Sequence, residues 1–221
     1  MLRRACSGLL LASALALFAA TASIAGTVTA STGDVQIVRN ERSLPAAVGT
    51  ALVEGDIVLT GSGAETLLTF ESGARMLVRP QSRLHLIEFP QAGKPTMRDK
   101  TIRIVRGSMR YVSGKAIQRG RVRFETRGVS VGIRGTDIEL SFSEEQGDAR
   151  GTYLRVNSGQ AFLSALDGTT VDLEAGQVAH GALPGLRTRS PGDVPEPAAQ
   201  RVEQAPAGVF GTSGSLEDLM R

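Results

Sequence analysis

The chain has no tryptophan, one cysteine and two histidines in 221 residues, and seven Phe with two Tyr are its only aromatic side chains. One cysteine cannot build a disulfide framework, a thiolate zinc cluster or a cysteine-ligated iron–sulfur cluster, each of which needs several thiolates. No strong excess of either charge is present, with 25 Lys and Arg against 22 Asp and Glu, a formal +3. What is abundant is apolar residue, at 41%, too much for wholesale disorder, and glycine, 26 residues, well above the usual share of about 7%. Many glycines with few aromatics point to short strands joined by tight turns.

The first residues read as a secretory leader. Arg3 and Arg4 form a positive n-region, Leu9 to Ala20 is an apolar run, and small residues follow as Ala20-Thr21-Ala22 and Ser23-Ile24-Ala25, which is the order of a bacterial signal peptide over residues 1–25. Cleavage is expected after Ala25 or after Ala22. The alternative is an uncleaved anchor, because residues 5–25 carry no charge and just suffice to span a bilayer. Cleavage removes Arg3 and Arg4, so Lys and Arg fall from 25 to 23 against 22 acids and the net charge from +3 to +1. It also removes Cys6, which stands before the apolar run, where a lipoprotein cysteine would stand after it. The mature product is expected to be periplasmic or otherwise exported, cysteine-free and without a membrane span, and its near-neutral balance gives no argument for nucleic acid.

Residues 27–183 are expected to form one all-β domain. Period-2 alternation is clearest in Arg121-Val122-Arg123-Phe124-Glu125-Thr126, which puts Val122 and Phe124 on one face and the charges on the other. Similar patterns predict strands at 35–39, 57–60, 66–70, 76–79, 84–89, 101–105, 109–112, 137–142, 153–156, 161–165, 170–173 and 177–180, with turns at Ser72-Gly73, Arg106-Gly107-Ser108, Asn157-Ser158-Gly159 and Asp167-Gly168. Scarce aromatics suggest a core of Val, Leu, Ile and Ala. The architecture expected is a short-stranded β-solenoid-like stack, with an irregular β-sandwich as rival. Residues 184–221, with Pro184, Pro191, Pro195, Pro197 and Pro206, read as a disordered Pro/Gly-rich tail. It ends in a helical turn capped by Ser215, fraying in solvent or docking on a partner through Leu216, Leu219 and Met220.

A further set of motifs runs through the domain: Gly33-Asp34-Val35, Leu52 to Thr60 around Gly55-Asp56, Ala64 to Phe70, and Ser72-Gly73. The most specific is Val131-Gly132-Ile133-Arg134-Gly135-Thr136-Asp137-Ile138-Glu139-Leu140, followed by Asn157 to Ala161 and Leu173 to Gln177. In layout these resemble the FecR domain, named for the ferric-citrate uptake regulator, over about residues 33–182. The resemblance implies family-motif positions at Gly33, Asp34, Gly55, Asp56, Gly132, Arg134, Gly135 and Thr136. Family regulators span the inner membrane, bind a sigma factor on the cytoplasmic side and touch an outer-membrane transporter. The absence of a segment before residue 5 and of a transporter-signalling module in the tail favours a stand-alone exported relative.

Physically, Gly132 and Gly135 bracket a long cation and let the backbone bend on either side of it. Arg134 is expected to lock that bend through Asp137, Glu139 or loop carbonyls, or else to meet a partner. Arg119, Arg121, Arg123 and Arg127 share strand parity and form a possible surface for an envelope protein or anionic glycan, or a charged edge that discourages pairing. Gly128-Val129-Ser130-Val131-Gly132 fits G-x-S-x-G, but a nucleophile elbow needs a helix after its serine and strand residues follow here. His85 and His180 have no metal-ligand spacing, Glu144, Glu145 and Asp148 read as a solvated hairpin tip, and no phosphate-binding Gly-Lys-Ser/Thr element occurs.

No catalytic residue, metal or cofactor is therefore expected. The reading is an exported, non-enzymatic binding or scaffold module of the envelope. Its alternatives are a membrane-anchored signal transducer regulating a sigma factor and a carbohydrate-active enzyme on a β-solenoid.

Overall fold

A computed structural model describes residues 24–89, 100–114, 122–145, 147, 149–183, 197–211 and 214–220. The leader up to residue 23, together with Arg119, Arg121 and Asp148, lies outside the described residues. Among the described residues fifteen strands follow one another: β1 (Ile24–Thr32), β2 (Val35–Arg39), β3 (Arg42–Pro45), β4 (Ala51–Val53), β5 (Ile57–Thr60), β6 (Glu65–Phe70), β7 (Arg75–Val78), β8 (Arg83–Glu88), β9 (Lys100–Val112), β10 (Val122–Thr126), β11 (Val129–Ser143), β12 (Gly151–Ala165), β13 (Thr170–Glu174), β14 (Val178–Gly181) and β15 (Ala199–Val202), before a 3₁₀ turn at Glu217–Met220. The chain is all-β.

Three long strands, β9, β11 and β12, organise everything else because each belongs to two layers. In the first layer the order is β3-β2-β5-β8, then residues 100–106 of β9, β10, the start of β11, the end of β12, and β13. In the second it is β4-β1-β6-β7, then residues 107–112 of β9, the end of β11, the start of β12, β14 and β15. Inward side chains of both layers, such as Ile37, Leu84, Phe124 and Leu163 from the first and Leu68, Met76, Leu140 and Leu154 from the second, share one hydrophobic core. Among the described residues only β9 and β10 pair in parallel. A stack of parallel coils needs parallel neighbours throughout, so the folded antiparallel sheet matches the irregular sandwich and not the solenoid.

The long strands change layer at glycines. Gly107 (φ 89°) turns β9, and Gly135 (φ 60°) turns β11, whose pairing with β12 shifts register between Arg134 and Asp137. The expected turns at Arg106-Gly107-Ser108 and Asn157-Ser158-Gly159 are thus corners inside continuous strands, a correction of four short strands to two long ones. A glycine with positive φ can close a hairpin or bend a ladder at a bulge, and only the pairing on both sides distinguishes them.

Two further expectations are corrected. The core is not purely aliphatic: Phe70 stacks on Phe89 at 5.6 Å, Tyr111 meets Phe124 edge-on at 5.1 Å, and Phe89, Phe124 and Phe142 are among its largest fully buried side chains. The scarce aromatics are concentrated inside, where one ring replaces several aliphatic contacts. Nor are the described residues of the C-terminal segment a free tail. β15 extends the second layer on β14, Val209 and Phe210 pack on Tyr153 and Val178, and Met220 packs on Leu67 and Leu77. The cause lies in Leu67 of β6 and Leu77 of β7, apolar side chains on the side of these strands that faces away from the core, and burial of that outer side needs a cover.

Candidate functional site

Four motif positions serve the fold. Gly33 (φ 73°) and Gly55 (φ 89°) make the turns into β2 and β5, and the Asp34 carbonyl accepts from Gly61 N at 2.9 Å. Asp56 is fully buried. Its carboxylate accepts from Arg39 Nε and Nη2, both at 2.7 Å, and from Val53 N at 2.8 Å. This charge-assisted bond raises the Arg39 pKa above its ordinary value.

The Gly132 to Thr136 motif combines structure and surface. Thr136 is buried, and its backbone N–H donates to Ser113 Oγ at 3.1 Å. Arg134, at the corner, is exposed, and no ion pair or side-chain hydrogen bond among the described residues engages its guanidinium. The expected bonds to Asp137 and Glu139 do not form, because other cations hold both acids. Asp137 accepts from Arg110 Nε at 3.0 Å and Nη2 at 2.6 Å, and Glu139 accepts from Arg79 at 3.2 Å. Gly132 stands opposite Arg123 on β10 and Phe162 on β12, and the half-exposed Phe162 ring fills the space a β-carbon at 132 would take.

These residues lie on the outer face of the first layer. Of the four arginines expected to form a stripe, Arg123 is exposed there and Arg127 sits in the following turn, ion-paired with Glu144 at 3.1 Å. Beside them a cleft of about 600 Å³ has Ile104, Val129 and Phe142 on its walls and Arg103, Arg127 and Leu166 around it. Arg103 is tied to Glu125 at 2.9 Å. Ser130 belongs to paired strand, opposite Glu125 and Ser164. His180 contacts the Arg150 carbonyl through Nε2 at 2.9 Å and the Tyr153 ring at 4.6 Å. Among the described residues no group of three or more His, Cys, Asp or Glu is arranged to hold a metal ion.

A second constellation escaped the sequence reading. Across the outer face of the second layer, Leu67, Leu77, Arg110, Glu139, Arg155, Val178 and Val202 stand in one row of paired positions. Arg79 joins it with its side chain only 4% exposed. Glu217 reaches both cations, Arg79 at 3.1 Å and Arg110 at 2.5 Å, and the two carboxylates on Arg110 raise its pKa. Phe210 lies over the Arg155 guanidinium at 4.4 Å. The signal for this face was an apolar residue at an outward position of each strand, Leu67 in β6 and Leu77 in β7.

Comparison with known proteins places the chain. The family model described as FecR protein matches residues 56–162. No curated protein matches. Two crystal structures of a candidate anti-sigma factor from Parabacteroides distasonis ATCC 8503, at 1.65 and 2.50 Å resolution, align at 10% identity with a TM-score of 0.48, covering 58% of this chain and 55% of that one. The chain thus spans about half the length of that protein.

Proposed function

We propose that this chain, whose residues 56–162 match the FecR protein family, is an exported, non-enzymatic binding or scaffold module of the bacterial periplasm or cell envelope that acts in envelope signalling. Its binding surface is the outer face of the first layer. One observation carries this reading: Arg123, Arg134 and Phe162 are exposed together around Gly132, and neither arginine has an ion-pair partner among the described residues. The partner that suits two free cations beside an aromatic ring is an acidic protein surface or an anionic glycan of the envelope.

The test is crosslinking in the intact envelope of a bacterium exporting the chain. The wild type is expected to capture a partner or polymer that the Arg123→Glu/Arg134→Glu variant loses, with thermal unfolding unchanged. Equal capture by both chains, or none by the wild type, overturns the reading.

A further inference from the structure

The last described residues, 214–220, add no strand to the sheet, yet Leu216, Glu217 and Met220 and several backbone groups of the segment meet matching groups on the body. Leu216 and Met220 enter an apolar notch of Leu67, Leu77, Ala30 and Val112. Leu216 N donates to Glu65 Oε2 at 3.3 Å. Glu217 bridges Arg79 and Arg110, and Arg75 donates to the carbonyls of Leu219 and Met220 at 2.5 and 3.1 Å.

The body side of this contact is arranged without the segment. Asp137 holds Arg110 in a two-pronged bond, and Glu139 holds Arg79, so both guanidinium groups are oriented before Glu217 arrives, and little ordering cost remains for an incoming carboxylate. The charges also leave a vacancy of one sign. Arg79, Arg110 and Arg155 face Asp137 and Glu139, three cations against two anions, and Glu217 supplies the third carboxylate. A preorganised cationic pair beside an apolar notch is how proteins read a short acidic and apolar peptide.

We propose that this face is a peptide-binding site for segments of the pattern Leu-Glu-x-x-Met, filled in the isolated chain by its own residues 216–220 and taken over by a partner's segment of the same chemistry when these lift away. It is distinct from the first-layer surface, and the chain's own segment acts as a built-in competitor. An external peptide then binds with an apparent affinity reduced by the fraction of molecules in which the site is open.

The experiment uses the full chain and a fluorescent peptide of sequence Gly-Ser-Leu-Glu-Asp-Leu-Met-Arg. The Glu217→Ala/Met220→Ala variant, whose own segment has lost both anchors, is expected to bind the peptide saturably and at least about tenfold tighter than the wild type. Adding Arg110→Glu, or replacing the peptide's Glu by Gln, should each abolish that gain, and binding should weaken with salt. A folded double variant that does not bind, or that binds a scrambled peptide equally, overturns the proposal. Should the variant fail to fold, hydrogen exchange on the wild type decides: the Leu219 amide should exchange faster than those of β6 and β7, and faster still with excess peptide, whereas exchange only on global unfolding overturns the proposal. A wild-type dimer that Glu217→Ala dissolves would assign the site to a second copy and overturn the external partner.

Discussion

The ring of Phe162 lies across Gly132, in the space that a β-carbon at position 132 would occupy. The obstacle to a larger residue is the end of a half-exposed side chain, and the backbone at 132 is ordinary strand. Gly132→Ala is therefore expected to change stability by less than about 1 kcal/mol, because a swung-out ring offsets the entropy gained at the glycine. The same substitution breaks the alignment of Phe162 with Arg123. Unchanged thermal unfolding together with reduced envelope crosslinking is the expected pair of results.

Gly159 behaves oppositely. It sits at φ 81°, and a β-carbon there would run into the Gly135 carbonyl on the neighbouring strand, which is backbone and cannot rotate away. Gly159→Ala combines left-handed strain with a clash at the corner where β11 and β12 change layer, and should cost about 3 kcal/mol. Urea unfolding measures this, and the loss should exceed that of Gly168→Ala, where positive φ is the only penalty because the surrounding space is open.

Asp56 joins β2, β4 and β5 by accepting from Arg39 and Val53 N. Removing its carboxylate leaves a backbone donor and a guanidinium without their acceptor. Asp56→Ala is expected to destabilise the domain by about 3 kcal/mol, and pairing it with Arg39→Met should recover part of that loss. A double-mutant cycle by chemical denaturation separates the pair from the orphaned amide.

How far the sequence could be read depended on how local each feature is. The bounds of β2 and β5 coincide with the expected 35–39 and 57–60 because alternation and flanking glycines decide them within a few residues. The corners in β9 and β12 look like turns in the sequence, since a bend is defined by pairing with strands that are remote along the chain. Arg134 illustrates the same limit: sequence proximity assigns Asp137 and Glu139 to it, but Arg110 and Arg79, far along the chain, take them instead. The docking of the C-terminal segment rests on Arg79 and Glu217, which are 138 residues apart, and no window of sequence shows that contact.

Strand β1 sharpens the expected cleavage. It begins at Ile24, pairs Ile24 with Val53, and buries Ala25. Cutting after Ala25 would remove two strand residues and the contacts Ala25 makes with the core, whereas cutting after Ala22 leaves β1 whole. The mature N-terminus is expected at Ser23, read by N-terminal sequencing of the exported chain. A start at Gly26 would contradict this, and an uncleaved chain would favour an anchor.

Tyr111 is a buried phenol. Burial in the aromatic cluster beside Phe70 and Phe124 pushes its phenol well above the ordinary value of 10.0. An unfolded chain ionises this phenol near pH 10 while the folded one keeps it neutral, so the unfolded state binds fewer protons above that pH and gains stability relative to the native state. The contribution is fully present below pH 10 and is lost as pH rises toward the folded value. Thermal unfolding from pH 8 to 11 should show the wild type falling more steeply above about pH 10 than Tyr111→Phe, which has no phenol to ionise. Parallel curves for the two chains would show that Tyr111 ionises in the folded protein as readily as in water.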